Sequence, residues 1–352
     1  MSIDTYIDFA EINNLINSIH ERKVYKVEKF DGDFVYAAGG FWVVYEAQKE
    51  DRKIAFRIMH KKDVNGIIER INTIADKLNK NDVVNRHFIK FNRPFDLEVQ
   101  GVTLKTKAME IDWCEGQTLG YYLTNLPKNQ VSNKADIISK KFLQMCRDLN
   151  NSKAAHGDLS FENIMVEENG NEISLKLIDI DTLYFEGMGT DLQQCTQGTE
   201  GFVHRDRTDK NHRASIYDDR YSQIVIYLIL RILSKEPDRI LKIYENKYDN
   251  NIFDDLDKDD ELNNINKARI KAETQKLSDI NPIDSLVHSL SKSPSQGKTK
   301  ANVQYSGPIF ANFCGICGHK FNAKDRYCSQ CGNRRLQLEH PLSKILNSVT
   351  KK

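Results

Sequence analysis

The sequence predicts an α+β chain in two unequal parts, a small antiparallel β part with one helix and then a larger helical part, with a small cysteine-bearing module near the C-terminus. Three observations predict it. Between residues 24 and 112, short runs rich in β-branched and aromatic residues dominate. Beyond Gly116, apolar residues recur at three- and four-residue spacing, and residues 314–331 hold two CxxC pairs. A chain of 352 residues exceeds one ordinary domain and suits one large two-lobed domain with an appendage.

Composition excludes several classes. Hydrophobic residues make up 39% and charged residues 29%, so the chain is not of disordered, fibrous or membrane-embedded type. With 51 basic against 50 acidic residues, the net charge of +1 gives no global field to recruit nucleic acid or an anionic membrane. The N-terminal MSIDTYIDFAEINNLI carries Asp4, Asp8 and Glu11 and no basic lead into an apolar core, so no secretory signal is expected and cytoplasmic residence is. The longest apolar run, Ile224 to Leu230 and on to Leu233, is broken by Arg231 and falls far short of the roughly 20 residues that span a bilayer. It reads as a buried helix. Four of the seven cysteines fall in CxxC pairs, which favours metal ligation in a reducing compartment over a disulfide framework.

Taken in order, residues 1–24 open the chain with an amphipathic helix, because Ile7, Phe9, Ile12, Leu15, Ile16 and Ile19 share a helical face. Residues 25–113 form the β part. Its runs are VYKVEKF, FVYAA, FWVVYEA and KIAFRIM, with Asp31-Gly32-Asp33 and Glu50-Asp51 as turns. A helix over 63–80 follows, and two strand-like runs over 87–112 pair across Gln100-Gly101, giving five strands and one helix. Residues 114–290 are mainly helical, over 117–125, 134–153, 219–234, 236–248 and 262–277, with one strand pair around Asn163–Val166 and Leu175–Ile178. Residues 291–312 read as a flexible linker, 313–335 as the cysteine module and 336–352 as a tail. The charged runs at 254–262 and 267–276 read as solvated helix faces.

The segment His156-Gly157-Asp158-Leu159-Ser160-Phe161-Glu162-Asn163, followed by Leu177-Ile178-Asp179, carries the chemistry. Phosphoryl transfer needs an acceptor for a hydroxyl proton, oxygen ligands that hold Mg²⁺ on phosphates, and positive charge against the developing oxygens. This segment resembles the protein kinase superfamily, whose catalytic loop reads H-R-D-L-x-x-x-N with a metal-binding Asp in a D-F-G triplet shortly after. The resemblance implies a two-lobed protein-kinase-like fold and a bound ATP. It makes Asp158 the catalytic base, Asn163 a magnesium ligand and Asp179 the main metal carboxylate.

Further segments extend the resemblance over roughly residues 25–290. Ala37-Ala38-Gly39-Gly40-Phe41-Trp42 is similar to the glycine-rich loop, where Gly39 and Gly40 would let the backbone lie over phosphates. Ala55-Phe56-Arg57-Ile58 resembles the V-A-I-K strand with Arg57 in place of lysine, a cation of different geometry. The helix at 63–80 should supply its carboxylate, from Glu69 or Asp76. Met109 to Leu119 resembles the hinge, which implies adenine contacts from the main chain of Glu110 and Asp112. Gly198-Thr199-Glu200-Gly201-Phe202 resembles the substrate-positioning G-T-x-G-Y, Val203-His204-Arg205 stands where A-P-E is usual, and Asp219-Arg220-Tyr221-Ser222 resembles the D-x-x-S whose Asp braces the catalytic loop. Together these departures resemble a divergent bacterial family of Ser/Thr kinase-like proteins, often encoded beside a von Willebrand type A protein and a metal-dependent protein phosphatase.

Cys314-Gly315-Ile316-Cys317-Gly318 and Cys328-Ser329-Gln330-Cys331-Gly332 are two CxxCG knuckles. Four thiolates complete a closed tetrahedral Zn²⁺ site with no open position, so a structural zinc ribbon held by Cys314, Cys317, Cys328 and Cys331 is expected. Cys114, Cys146 and Cys195 read as unpaired. The expected function is ATP-dependent phosphoryl transfer to Ser/Thr of protein substrates in bacterial signalling. Arg57, Trp42 and the missing A-P-E motivate an alternative, a pseudokinase scaffold that binds nucleotide and partner proteins without turnover. H-G-D also occurs in kinases of small molecules such as aminoglycosides, but G-T-x-G-F before the D-x-x-S helix favours a peptide substrate.

Overall fold

Amphipathic patterning becomes a layered α+β architecture in the computed structural model, which describes residues 7–38, 41–61, 65–170, 172–188, 198–209 and 211–292. The chain divides into two units, residues 1–293 and 294–352; the second lies outside the described residues. Helix α1 (Phe9–Glu21) begins where the Asp8 carboxylate accepts the Ala10 amide at 3.0 Å, a side-chain N-cap. Its face of Ile12, Leu15, Ile16 and Ile19 is fully buried. Phe9, expected on that face, is exposed and lies against Tyr36 and His60 instead.

Six short-to-medium strands follow, β1 (Lys26–Val27), β2 (Lys29–Phe30), β3 (Asp33–Phe34), β4 (Tyr36–Ala38), β5 (Trp42–Lys49) and β6 (Arg52–Met59). Asp31 and Gly32 both take positive φ, as a type I′ two-residue hairpin loop between β2 and β3 requires. Next come α2 (Asn65–Asn79), α3 (Asp82–Asn85), β7 (Phe95–Leu97) and β8 (Thr106–Asp112). The main sheet runs β1-β5-β6-β8-β7 with β4 also on β5, and every pairing between these strands is antiparallel. One face packs Val43, Tyr45, Ile54, Phe56 and Ile58 under α1; the other turns Trp42, Met59 and Met109 toward Ile71, Ile74 and Leu78 of α2. The first of the two strand-like runs over 87–112 is shorter than expected. Its residues 87–92 make isolated bridges, Phe88 to Leu177 and Phe91 to Ile111, rather than a strand, and α3 lies just before them.

The remaining elements are β9 (Gln117–Thr118), α4 (Leu119–Thr124), α5 (Lys128–Asn151), β10 (Ala154–Ala155), β11 (Ile164–Asn169), β12 (Glu172–Leu177), β13 (Tyr184–Phe185), α6 (Arg220–Lys235), β14 (Ile243–Tyr244), β15 (Lys247–Tyr248), α7 (Asp260–Ala272) and α8 (Ile283–Lys292). The run from Ile224 to Leu230 is buried along its whole length in α6. Among the described residues, no helix is long and apolar enough to cross a membrane.

Residues 236–248 differ from expectation. Pro237 lacks an amide hydrogen, and only a 3₁₀ turn, Pro237–Lys242, forms before the chain doubles back in the hairpin β14–β15 with Glu245 at φ 53°. A Cβ on Gly120 would sit 2.0 Å from the Glu245 carbonyl oxygen, so glycine is what lets α4 and this hairpin meet. The acidic run at 254–262 is not simply solvated either. Asp259 caps α7 by accepting the Leu262 amide at 3.0 Å and pairs with Lys235 at 2.8 Å, while Glu261 pairs with Arg231 of α6 at 2.7 Å.

Candidate active site

The site grows from the ends of β11 and β12, the strand β6 and a loop. Asp179 follows β12 and adopts φ 61°, a left-handed conformation that costs an L-residue energy and is held by its surroundings. Its neighbours arrive by main-chain bonds: the Ile178 amide donates to the Asn163 carbonyl at 3.1 Å, and the Asn163 side-chain NH₂ donates to the Asp158 carbonyl at 2.7 Å. Asp158, Asn163 and Asp179, singled out by the resemblance of their segments, therefore share one bonded network. The Asp158 carboxylate accepts both the amide (2.9 Å) and the hydroxyl (3.0 Å) of Thr199, which docks the Gly198–Phe202 segment on the same loop.

The loop is braced from below. Asp219 Oδ1 accepts the Gly157 amide at 2.9 Å and its Oδ2 accepts the His156 amide, as the D-x-x-S resemblance implied. His156 itself is fully buried, its ring Nε2 bonded to the Ile178 carbonyl at 2.7 Å. Burial raises the Asp219 carboxyl above its usual range, against the opposing pull of His156 and the two amides. Gly157 has φ 82°, and a Cβ there would lie 2.5 Å from the Thr182 carbonyl oxygen.

Arg57 of β6 reaches this network from above. Its guanidinium bonds Asp179 Oδ1 at 3.0 Å and faces Asp181 Oδ1 at 3.5 Å. Glu69 and Asp76, the helix carboxylates expected to pair with Arg57, do neither: Glu69 is exposed and Asp76 pairs with Arg93. In their place α2 presents Arg70, buried to 4% exposure, whose guanidinium donates to the carbonyls of Asp181 (2.9 Å), Thr182 (2.9 Å) and Leu183 (3.2 Å). Burial pushes the Asp181 carboxyl up to about 6, with Arg57 opposing the rise and the Asp179 charge adding to it.

Sequence reasoning missed both Asp181 and Arg70. Arg70 carried a signal, a cation on the same helical stripe as Ile67, Ile71 and Ile74, because a charge on an apolar face needs buried partners. Asp181 carried none beyond its place in Asp179-Ile180-Asp181.

The main-chain groups expected to contact adenine are already bonded. The Asp112 amide donates to the Lys90 carbonyl and the Glu110 carbonyl accepts the Asn92 amide, both at 2.8 Å, so these groups are spent within the sheet and do not face a ligand. The physical reason is that β8 runs on to Asp112, and the connecting segment begins at Trp113. The Glu110 side chain points to the other face, where Tyr25, Lys49, Arg52 and Asn92 surround it. Burial alone would raise the Glu110 carboxyl, but the bonds from Lys49 and Tyr25 outweigh it and hold the group below its usual value.

Val203-His204-Arg205, the departure from A-P-E, is anchored by other means. His204 bonds the Ala272 carbonyl at 3.0 Å, Arg205 donates to the Thr274 carbonyl at 2.9 Å, and Asp206 accepts the Leu277 amide at 3.1 Å. Cys114 donates to Glu167 at 3.3 Å, and burial pushes its thiol up to about 12, which favours the neutral thiol; Cys146 is buried. Gly39, Gly40, Cys195 and the ribbon ligands Cys314, Cys317, Cys328 and Cys331 lie outside the described residues.

Among the described residues, no group of three or more His, Cys, Asp or Glu side chains gathers as a closed metal cage. A two-ligand oxygen site suits Mg²⁺, which keeps waters and takes its remaining ligands from phosphates. Asn163 fits this role: its NH₂ is turned inward to Asp158, so its Oδ1 is the atom left for a cation. The Asp179 side chain fits as well, remaining 39% exposed beside Arg57. No protein-family model matches the chain, and no curated protein matches it either.

Proposed function

We propose that this chain is a protein-kinase-like phosphotransferase, two-lobed in build, that transfers the terminal phosphoryl group of ATP to Ser or Thr hydroxyls of protein substrates. The observation that carries the reading is the bonded path from Thr199 through Asp158 and Asn163 to Asp179 and Arg57, which joins a proton acceptor, two oxygen donors and a cation. In this reading the Asp158 carboxylate orients the substrate hydroxyl and accepts its proton. Asn163 and Asp179 hold Mg²⁺, which when bound offsets charge on the phosphates. Arg57 keeps positive charge beside those phosphates, and the main chain after β8, from Trp113 onward, takes the place of the adenine-reading segment.

The same reading gives the chain a structural Zn²⁺ on Cys314, Cys317, Cys328 and Cys331, a cytoplasmic setting, and association with a von Willebrand type A protein and a metal-dependent protein phosphatase. Its support there is the pattern of the sequence. The deciding experiment is radiolabel transfer from ATP to the chain itself or to a generic protein substrate, for the wild type and for Asp158→Ala and Asp179→Ala. Transfer by the wild type that both substitutions abolish is expected. Absence of transfer from a folded wild type with either Mg²⁺ or Mn²⁺ sinks the reading.

A second reading, a nucleotide-binding scaffold without turnover, is favoured by one observation. Asp179 is already bonded to Arg57, so the carboxylate meant for a metal has a competing cation 3.0 Å away. This reading expects a thermal shift with ATP and Mg²⁺ but no label transfer.

A further inference from the structure

We propose that Arg70 is a positioning residue that ties helix α2 to the segment carrying Asp179, with Asp181 completing the tie at Arg57. The inference rests on the kinase reading for its consequence, though not for its geometry. Residues 180–182 form a single 3₁₀ turn immediately after Asp179. Arg70 grips the carbonyls at and just beyond that turn with three charge-assisted hydrogen bonds. Within the same turn the Thr182 hydroxyl donates to the His156 carbonyl at 2.8 Å, and the Asp181 side chain faces Arg57. One short turn therefore touches α2, the catalytic loop and the β6 cation.

The physical consequence is coupling. In this arrangement the helix contributes a cation that holds backbone, and the carboxylate facing Arg57 comes from the turn. Arg70 is buried and, among the described residues, makes no ion pair shorter than 4 Å; the three carbonyls compensate the lost hydration of its Nε and Nη2, while Nη1 is buried without a hydrogen-bond partner. Moving α2 away from the turn would strand that guanidinium, and moving the turn would displace Asp179 from its left-handed conformation. Neither can shift alone. The position of α2 thus sets where Asp179 stands, and Arg70 acts through Asp179 without touching the reacting atoms.

The test uses the full chain with Arg70→Met, which keeps length and apolar packing, and Arg70→Lys, which keeps charge but loses the two-pronged grip. Hydrogen exchange without nucleotide is read first. The proposal expects amides over 181–185 to exchange about tenfold faster in Arg70→Met, with α5 and α6 unchanged and Arg70→Lys intermediate. Unchanged exchange over 181–185, or an increase spread evenly through α5 and α6, overturns it. Nucleotide binding is then titrated with Mg²⁺. The concentration for half-saturation should rise about tenfold in Arg70→Met, while nucleotide affinity at saturating Mg²⁺ stays within about threefold of wild type. A wild-type Mg²⁺ dependence retained by both variants overturns the positioning role. If the wild type shows no Mg²⁺-dependent binding yet the local exchange response is present, the kinase reading fails and the tie between α2 and the turn stands. Should Arg70→Met not fold, Arg70→Lys alone carries both measurements.

Discussion

Arg57 Nη1 and Asp181 Oδ1 face each other across 3.5 Å inside the protein, and neither atom has a hydrogen-bond partner among the described residues. At that separation the attraction is Coulombic, and the burial of both groups has a desolvation cost that the attraction must offset. Such a pair sets geometry more than it adds stability. It keeps the β6 cation aimed at the Asp179 turn, at the expense of a carboxyl group that resists ionisation.

That resistance gives a pH signature. The Asp181 carboxyl sits near 6 in the folded chain against an ordinary 3.8, so the folded state holds its proton more tightly than the unfolded state does. Its contribution to stability is therefore complete below the unfolded value and is lost as pH rises toward the folded one. Asp181→Asn lacks this titration. Denaturant unfolding at pH 4 and pH 7 should show the stability difference moving in favour of the variant as pH rises, by on the order of 3 kcal/mol. A pH-independent difference, or movement the other way, refutes the assignment.

Asp219 holds the loop that carries Asp158 with two oxygens on two buried amides. Asp219→Ala leaves the His156 and Gly157 amides without acceptors and should cost about 3 kcal/mol in denaturant unfolding. Phosphoryl transfer should fall more than the folded fraction does, because Asp158 follows directly. An unchanged unfolding midpoint would show that the brace is replaceable.

Gly157 and Gly170 form a matched pair for testing close approach. Both take positive φ, 82° and 62°, but a Cβ at Gly157 meets the Thr182 oxygen at 2.5 Å whereas one at Gly170 meets nothing within 4 Å. Gly170→Ala should cost about 1 kcal/mol, the left-handed strain alone, and Gly157→Ala about 3 kcal/mol because the turn must also move. Thermal unfolding of the two variants measures the gap; equal losses would mean that the turn yields freely.

The ribbon prediction is stoichiometric. The full chain should carry one zinc, by metal analysis, and Cys314→Ser or Cys331→Ser should abolish it, since a structural site with three thiolates and no fourth ligand binds weakly. Retention of zinc in both variants would place the ion elsewhere.

The readable parts of this chain were those in which local pattern and local chemistry agree. The β-branched and aromatic runs FWVVYEA and KIAFRIM marked the two longest strands among the described residues, β5 and β6, and the apolar run beginning at Ile224 marked α6. The grouping of Asp158, Asn163 and Asp179 came from the resemblance of their segments, and the fold links them by short bonds across the one hairpin that separates the first two from the third. The main-chain groups expected at Glu110 and Asp112 were taken up elsewhere because strand length depends on what pairs alongside, and the 90–92 segment that bonds to β8 lies about 20 residues away in the chain. The same cause turned 236–248 from a helix into a turn and hairpin, where Pro237 and the contact with Gly120 prevailed over an apolar spacing.

What the sequence by itself determined is an inventory of elements and charges: an opening helix, then strands, then mainly helices, an arginine on the Ala55–Ile58 strand, the polar residues Asp158, Asn163 and Asp179 in order, and four cysteines in two CxxCG segments. Tertiary structure alone decided which charges meet. Glu69, Asp76 and Asp181 are equally acidic in the sequence, but α2 turns the first two outward and the turn after Asp179 carries the third inward to Arg57. Partner choice between charges depends on distance and burial, and both are properties of the folded chain.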